Sequence, residues 1–96
     1  MEKPRILSRE EVAERLKTLS GWSYEGKTLQ KSLRFKDFKE AISFINRVAA
    51  AAEELDHHPD ILLHGYNYVR LNLNTHLVGG EVTEWDFELA HAIEEM

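Results

Sequence analysis

The 96-residue chain contains no cysteine, which excludes disulfides, thiolate metal sites and thiol nucleophiles. That absence agrees with a reducing compartment, and a cytoplasmic location is expected. Long apolar runs are missing as well. Met1 is followed by Glu2, Lys3, Pro4 and Arg5, which predicts neither a signal peptide nor a membrane span. Excess basic charge is also lacking: 12 Lys and Arg stand against 17 Asp and Glu, a formal net charge of −5. A phosphate-backbone binder would need the opposite balance, so no direct nucleic-acid partner is expected. With only 2 prolines and 5 glycines, no repeat and no low-complexity stretch, there is no linker, and residues 1–96 read as a single domain. The partners left are a small molecule or another protein.

What is present is periodic. Ser8-Arg9-Glu10-Glu11 has the form of a capping box, and Val12, Leu16 and Leu19 follow at helical spacing, predicting a helix over 9–19 that Ser20-Gly21 stops. Trp22-Ser23-Tyr24 and residues 28–35 alternate as two strands around an Glu25-Gly26-Lys27 turn. Lys31 interrupts the apolar face of the second strand, which suggests an edge or a position near solvent. Asp37 is placed to cap a long helix with Phe38, Ala41, Ile42, Ile45, Val48, Ala49 and Ala52 as its apolar stripe. Phe44 and Ala51 fall off that stripe, either as ordinary partly exposed residues or as a second face for another subunit.

Residues 61–64 form a third strand, and residues 68–75 a fourth, in which Val69, Leu71, Leu73 and Thr75 face one way. The same period places Arg70, Asn72, Asn74 and His76 on the opposite, polar face, the one expected to meet a ligand. Thr83 caps a last helix with Trp85, Leu89, Ala90 and Ile93 as candidates for its buried side. The order α-β-β-α-β-β-α predicts an α+β domain: a four-stranded antiparallel sheet with helices packed on one face.

The chemistry concentrates where the long helix ends, at Glu53-Glu54-Leu55-Asp56-His57-His58-Pro59. Pro59 cannot continue a helix, so two imidazoles and three carboxylates gather at a terminus with unpaired carbonyls. Imidazoles at such an end often do no more than bond those carbonyls. His76, at the end of the fourth strand, provides a possible partner across a cleft. Three imidazoles suit proton transfer or a metal site. Adjacent helical residues point about 100° apart, so His57 and His58 are poorly set to chelate together, and proton transfer fits better. Glu53, four residues before His57, is expected on the same helical face, orienting that ring. His64 and His91 have no distinguishing context.

From these residues the chain resembles the pterin-4a-carbinolamine dehydratase family. That pattern is an acidic residue, three residues, His-His-Pro, then an aromatic, a His and an Asp at near-fixed intervals, met here by Glu53, His57-His58-Pro59, Tyr66, His76 and Asp86. Gly21-Trp22, Phe35-Lys36-Asp37-Phe38, Arg47-Val48-Ala49 and Thr75-His76 extend the likeness over residues 8–95. The resemblance implies a hydro-lyase that removes water from a 4a-hydroxytetrahydropterin, giving quinonoid dihydropterin without a metal or organic cofactor. It implies His57 and His76 as the acid–base pair, with His58, Asp56, Asn74 and Thr75 on the substrate. Glu53, Pro59 and Asp86 then support the cluster, although Asp86 could equally favour the start of the last helix. The chain departs from many relatives at Ile61, where they carry Trp, and at Asn74, where they carry Ser or Trp. Family members assemble as homodimers or homotetramers. The alternatives are a dimerisation cofactor of the transcriptional-coactivator kind, or a dehydratase-like protein of another pterin pathway such as that of molybdopterin.

Overall fold

The computed structural model describes residues 3–96. Its elements are α1 (Arg9–Leu16), β1 (Ser23–Glu25), β2 (Thr28–Arg34), α2 (Phe38–Leu55), β3 (Asp60–His64), β4 (Tyr68–Leu73), a 3-10 turn (His76–Val78) and α3 (Glu84–Glu94). All pairings in the four-stranded sheet are antiparallel, in the order β1-β2-β4-β3. Two hairpins are thus joined through β2 and β4, the α+β arrangement expected from strands connected by short turns.

The register fixes the two faces. Leu29 pairs with Leu73, Leu33 with Val69, and Ile61 with Leu71, so these side chains share the face that packs under the helices. Gln30, Ser32, Arg70 and Asn72 take the other face, as a period of two requires. Lys31 stands on the helix face, opposite Leu71, in an interior strand and not at an edge. The long aliphatic stem lets its ammonium reach the rim, where it pairs with Glu94 and lies 5.8 Å from the Trp22 ring centre. Burial pushes the Glu94 carboxyl up, but hydrogen bonds from Lys31 and Trp22 outweigh it and hold the group below the ordinary carboxylate range.

All three helix starts are capped as their residues suggest. Ser8 and Glu11 form a reciprocal capping box, Asp37 accepts from the Glu40 amide at 2.8 Å, and Thr83 and Asp86 form a second box. α1 ends three residues earlier than its pattern predicts, because residues 17–19 tighten into i→i−3 bonds. On α2 the buried face is Ala41, Phe44, Val48 and Ala52. Phe44 is therefore a core residue, 5.0 Å from Phe35 between ring centres, and Ala51 packs partly against the core. Phe38 and Ala49, expected inside, are exposed. The helix is rotated toward Phe44 because Phe35, just before it, offers a ring to pack on. Near the chain start, Leu7 N–H donates to Val82 O at 3.0 Å, and Ile6 bridges Thr83, so the N-terminal segment lies along the turn that enters α3.

Candidate active site

The site begins with a helix that ends abruptly. Asp56 adopts the left-handed conformation (φ 52°), and its N–H bonds back to Ala52 and Glu53 while His57 N–H reaches Ala52 O at 3.0 Å. This pair of return bonds closes the orphan carbonyls in the manner of a glycine-type terminus, although the residue is Asp. The reversal turns consecutive side chains to opposite destinations. His57 swings inward, and its Nε2 meets Asp86 Oδ1 at 2.6 Å. His58 stays outside, with Nε2 2.5 Å from Glu53 Oε2. Glu53 therefore does not orient His57; the expected i,i+4 pairing fails because the helix stops at Leu55, before His57 can join its face.

Asp86 is fully buried, and each of its oxygens is engaged. Oδ2 accepts from Thr75 Oγ1 at 2.9 Å and from the Thr83 amide at 2.9 Å, while Oδ1 faces His57. The Thr75 and Thr83 hydroxyls are 2.8 Å apart. Since the Thr75 hydroxyl has one proton and donates it to Asp86, Thr83 donates to Thr75, and the direction of the whole chain follows. Asp86 thus caps α3 and holds His57 at once.

His57, His58, Asp56, Thr75, His76, Leu77 and Trp85 line one cleft of about 190 Å³. His76 arrives there from a different structure than its pattern predicts: β4 ends at Leu73, Thr75 makes an isolated bridge to Glu81, and His76 opens the 3-10 turn. The cleft accordingly sits at the end of the sheet, between the α2 terminus and the α3 start, and not on the open polar face. Trp85, half-buried, stands edge-on to the His57 ring at 5.8 Å between centres. Periodicity assigned it to the core; its place next to the helix cap, one residue before Asp86, is the signal that marks it as a wall of the site.

A family model described as Pterin 4 alpha carbinolamine dehydratase matches residues 5–96. The chain belongs to this family. A Sulfolobus acidocaldarius relative in the pterin-4α-carbinolamine dehydratase family is 47% identical over 91% of this chain and 93% of its own, and a Nostoc relative 44% identical over 95% and 96%. Among solved structures, a transcriptional coactivator/pterin dehydratase from Brucella melitensis superposes with a TM-score of 0.87 at 35% identity, covering 95% of this chain and 97% of that one. A pterin dehydratase-like protein identified as a RuBisCO assembly factor in the alpha-carboxysome gives a TM-score of 0.63 at 27% identity, over 78% and 87%. The carbinolamine dehydratase family is one of hydro-lyases, and the α-β-β-α-β-β-α sheet described above is its fold.

Not every residue of the family pattern reaches the cleft. Tyr66 sits at the β3–β4 turn, 63% exposed with φ 60°, and does not line it. Asn74 does not line it either; its side-chain amide lies beside Gly80. Thr75, expected on the substrate, does border the cleft, but it is buried with its hydroxyl committed to Asp86 and Thr83. Pro59 is half-buried and does not line the cleft, and no group of three or more His, Asp or Glu among the described residues is arranged to hold a metal ion.

Proposed function

We propose that the protein is a dehydratase acting on a 4a-hydroxytetrahydropterin, with His57 and His76 as its acid–base pair. The carrying observation is that these two imidazoles border one cleft from separate elements, with His57 anchored from behind by a buried carboxylate. The reaction breaks the C4a–O bond, which needs a proton on the departing hydroxyl, and removes the proton from N5 as the C4a=N5 double bond forms. One imidazole gives a proton and the other takes one, so the pair returns to its starting charge after one proton passes between them or through water. Because His57 Nε2 is held by Asp86, the nitrogen left to exchange protons with substrate is Nδ1. His58 and Asp56, on the exposed lip, are suited to contact the polar edge of the pterin ring.

The test is direct. Purified protein should accelerate the loss of synthetic 4a-hydroxytetrahydropterin, and a rate equal to that in buffer would remove the proposal.

Self-association is the companion proposal. The outer side of α2 exposes Phe38 and leaves Ile42 half-covered above a shallow hollow with Lys39, Asn46 and Arg47. An exposed aromatic beside such a hollow favours burial against a second copy, giving a homodimer or homotetramer in a cytoplasmic enzyme. Light scattering of the purified chain reads this out; a monomer that pairs only with a foreign protein would favour the coactivator-like alternative instead.

A further inference from the structure

Away from the histidines, α3 carries a second set of side chains in a row. Glu84, Glu88, His91 and the C-cap Glu95 follow one another at intervals of four, three and four, so they share one face of the helix. That face forms one wall of a groove of about 720 Å³, and Glu14 and Arg15 of α1, with Thr18 of the turn after it, form the other. Phe87, Ala92 and Leu55 supply its apolar surface, and Leu55 is left 39% exposed where α2 ends. The polar residues are mostly acidic. Four carboxylates stand against one guanidinium and one imidazole, so the groove is negative whether or not His91 is protonated. Arg15 is already engaged, 2.5 Å from Glu84 and 5.9 Å from the Phe87 ring centre, while His91 lies 3.5 Å from the Thr18 hydroxyl. Glu14 meets Lys17 at the open edge, an exposed contact that leaves both groups in water. Glu88 and Glu95 have no ion-pair partner among the described residues.

We propose that this groove docks a cationic amphipathic helix of another protein. The charge decides the occupant. A second copy set face to face by a two-fold axis would bring carboxylates against carboxylates. Nucleic acid and anionic membrane surfaces carry the same sign as the rim. A helix with apolar residues at i, i+3 or i+4 and i+7 fits instead, laying that stripe on Leu55, Phe87 and Ala92. Lysines or arginines flanking the stripe then reach Glu88 and Glu95 on one side and Glu14 on the other. The row from Glu84 to Glu95 runs about 16 Å along α3, enough for roughly three turns of a docked helix. Charges on such a rim act through water and are screened within about 10 Å at 0.1 M salt, so the contact is salt-sensitive. Docking there uses neither His57 nor His76, and it stands whether or not the cleft is a dehydratase site.

The probe is a fluorescein-labelled synthetic peptide of about fifteen residues, near the length at which an isolated helix becomes stable, with leucines on one face and lysines on the other. Its fluorescence polarisation is titrated with the full chain, and the amide shifts of the chain are followed by NMR. The peptide should bind at low salt and weaken several-fold as salt rises from roughly 0.05 to 0.3 M. Shifts should centre on Thr18 and on residues 87–95. Glu88→Lys should weaken binding about fivefold, the scale of one exposed charge contact. Glu25→Lys makes the same charge change on β1, outside the groove, and should leave binding as it was. Absence of binding at low salt overturns the proposal, as does equal binding of a peptide with glutamates in place of the lysines. Shifts centred on Lys39 and Ile42 of α2, or a loss with Glu25→Lys as large as with Glu88→Lys, overturn it too. Groove shifts that appear on concentrating the chain alone would assign the surface to a second copy and equally remove the foreign helix.

Discussion

Two imidazole–carboxylate pairs stand side by side at the end of α2, alike in chemistry and opposite in setting. In the His57–Asp86 pair the side chains are 11% and 0% exposed; in the His58–Glu53 pair they are 57% and 75% exposed. The exposed pair holds two side chains together in water, where such contacts contribute little. The buried pair is different in kind. Asp86 is fixed by Thr75, Thr83 and the cap of α3, so its oxygen defines where the His57 ring must lie. Burial with every oxygen engaged turns a weak contact into a positioning device. The same residue types therefore serve orientation on the wall of the cleft and adaptability on its lip.

This contrast can be broken in graded steps. His57→Ala and His76→Ala should each lower kcat/KM by about a hundredfold or more, the usual contribution of a positioned acid or base, as read by the dehydration assay. Loss of only one activity would restrict proton transfer to the wall on which the sensitive residue stands. Asp86→Asn keeps the shape but hands His57 an amide in place of a carboxylate. We expect a fall in kcat of roughly ten- to a hundredfold, the scale on which small misplacements of catalytic groups act. A variant with normal kcat would show that orientation of His57 does not depend on Asp86. Thr75→Val leaves one buried oxygen of Asp86 short of a donor and should lower stability by about 1–2 kcal/mol, measured as the shift of a urea unfolding midpoint. His58→Ala and Glu53→Ala, by contrast, should change stability by less than about 0.5 kcal/mol. Raised KM without loss of kcat is the expected signature of His58→Ala, and an effect on stability equal to that of Thr75→Val would erase the distinction between wall and lip.

The smallest effect calibrates the exposed class. Bonds from Arg5, with the Ser8 amide, lower the Glu11 carboxyl from 4.5 to about 2. A carboxyl depressed in the folded state contributes stability above its ordinary value and loses it as pH falls through the folded one. Glu11→Gln, which keeps an acceptor for the Ser8 amide, should therefore remove a small, solvent-screened contribution at neutral pH and flatten the acid unfolding limb by the same amount between 4.5 and about 2. A large loss at neutral pH would mean that exposed pairs matter here more than their setting implies.

Most of the fold was legible because local rules and tertiary packing agree. Capping residues, the two hairpins and the period of β4 are local signals, and each led to the element observed. The rotation of α2 was less legible: the periodic stripe includes Phe38 and leaves Phe44 off it, and the Phe35 ring, just after β2, turns the helix toward Phe44 instead. Within the site, His57, His58 and His76 could be named from sequence and the structure brings them to one cleft. Which carboxylate each would meet could not be read from the local pattern, and Asp86 entered only through the family resemblance. A periodic argument carries Glu53 to His57, but one left-handed residue, Asp56, resets the direction of the chain, and no period survives such a reversal. Asp86 lies 29 residues from His57, beyond the reach of any local pattern.

The bridge between Ile6 and Thr83 gives the site a place in time as well as in space. His57 is anchored by a residue near the other end of the chain, and the turn that presents that residue is itself bound along the N-terminal segment. Both ends must come together before the cleft has its wall. A nascent chain can close its hairpins early, since those contacts are local, but its long-range joints come at greater entropic cost. The N-terminal segment thus waits unpaired until the last helix emerges, and removing it should disturb the chemistry from a position that touches no substrate.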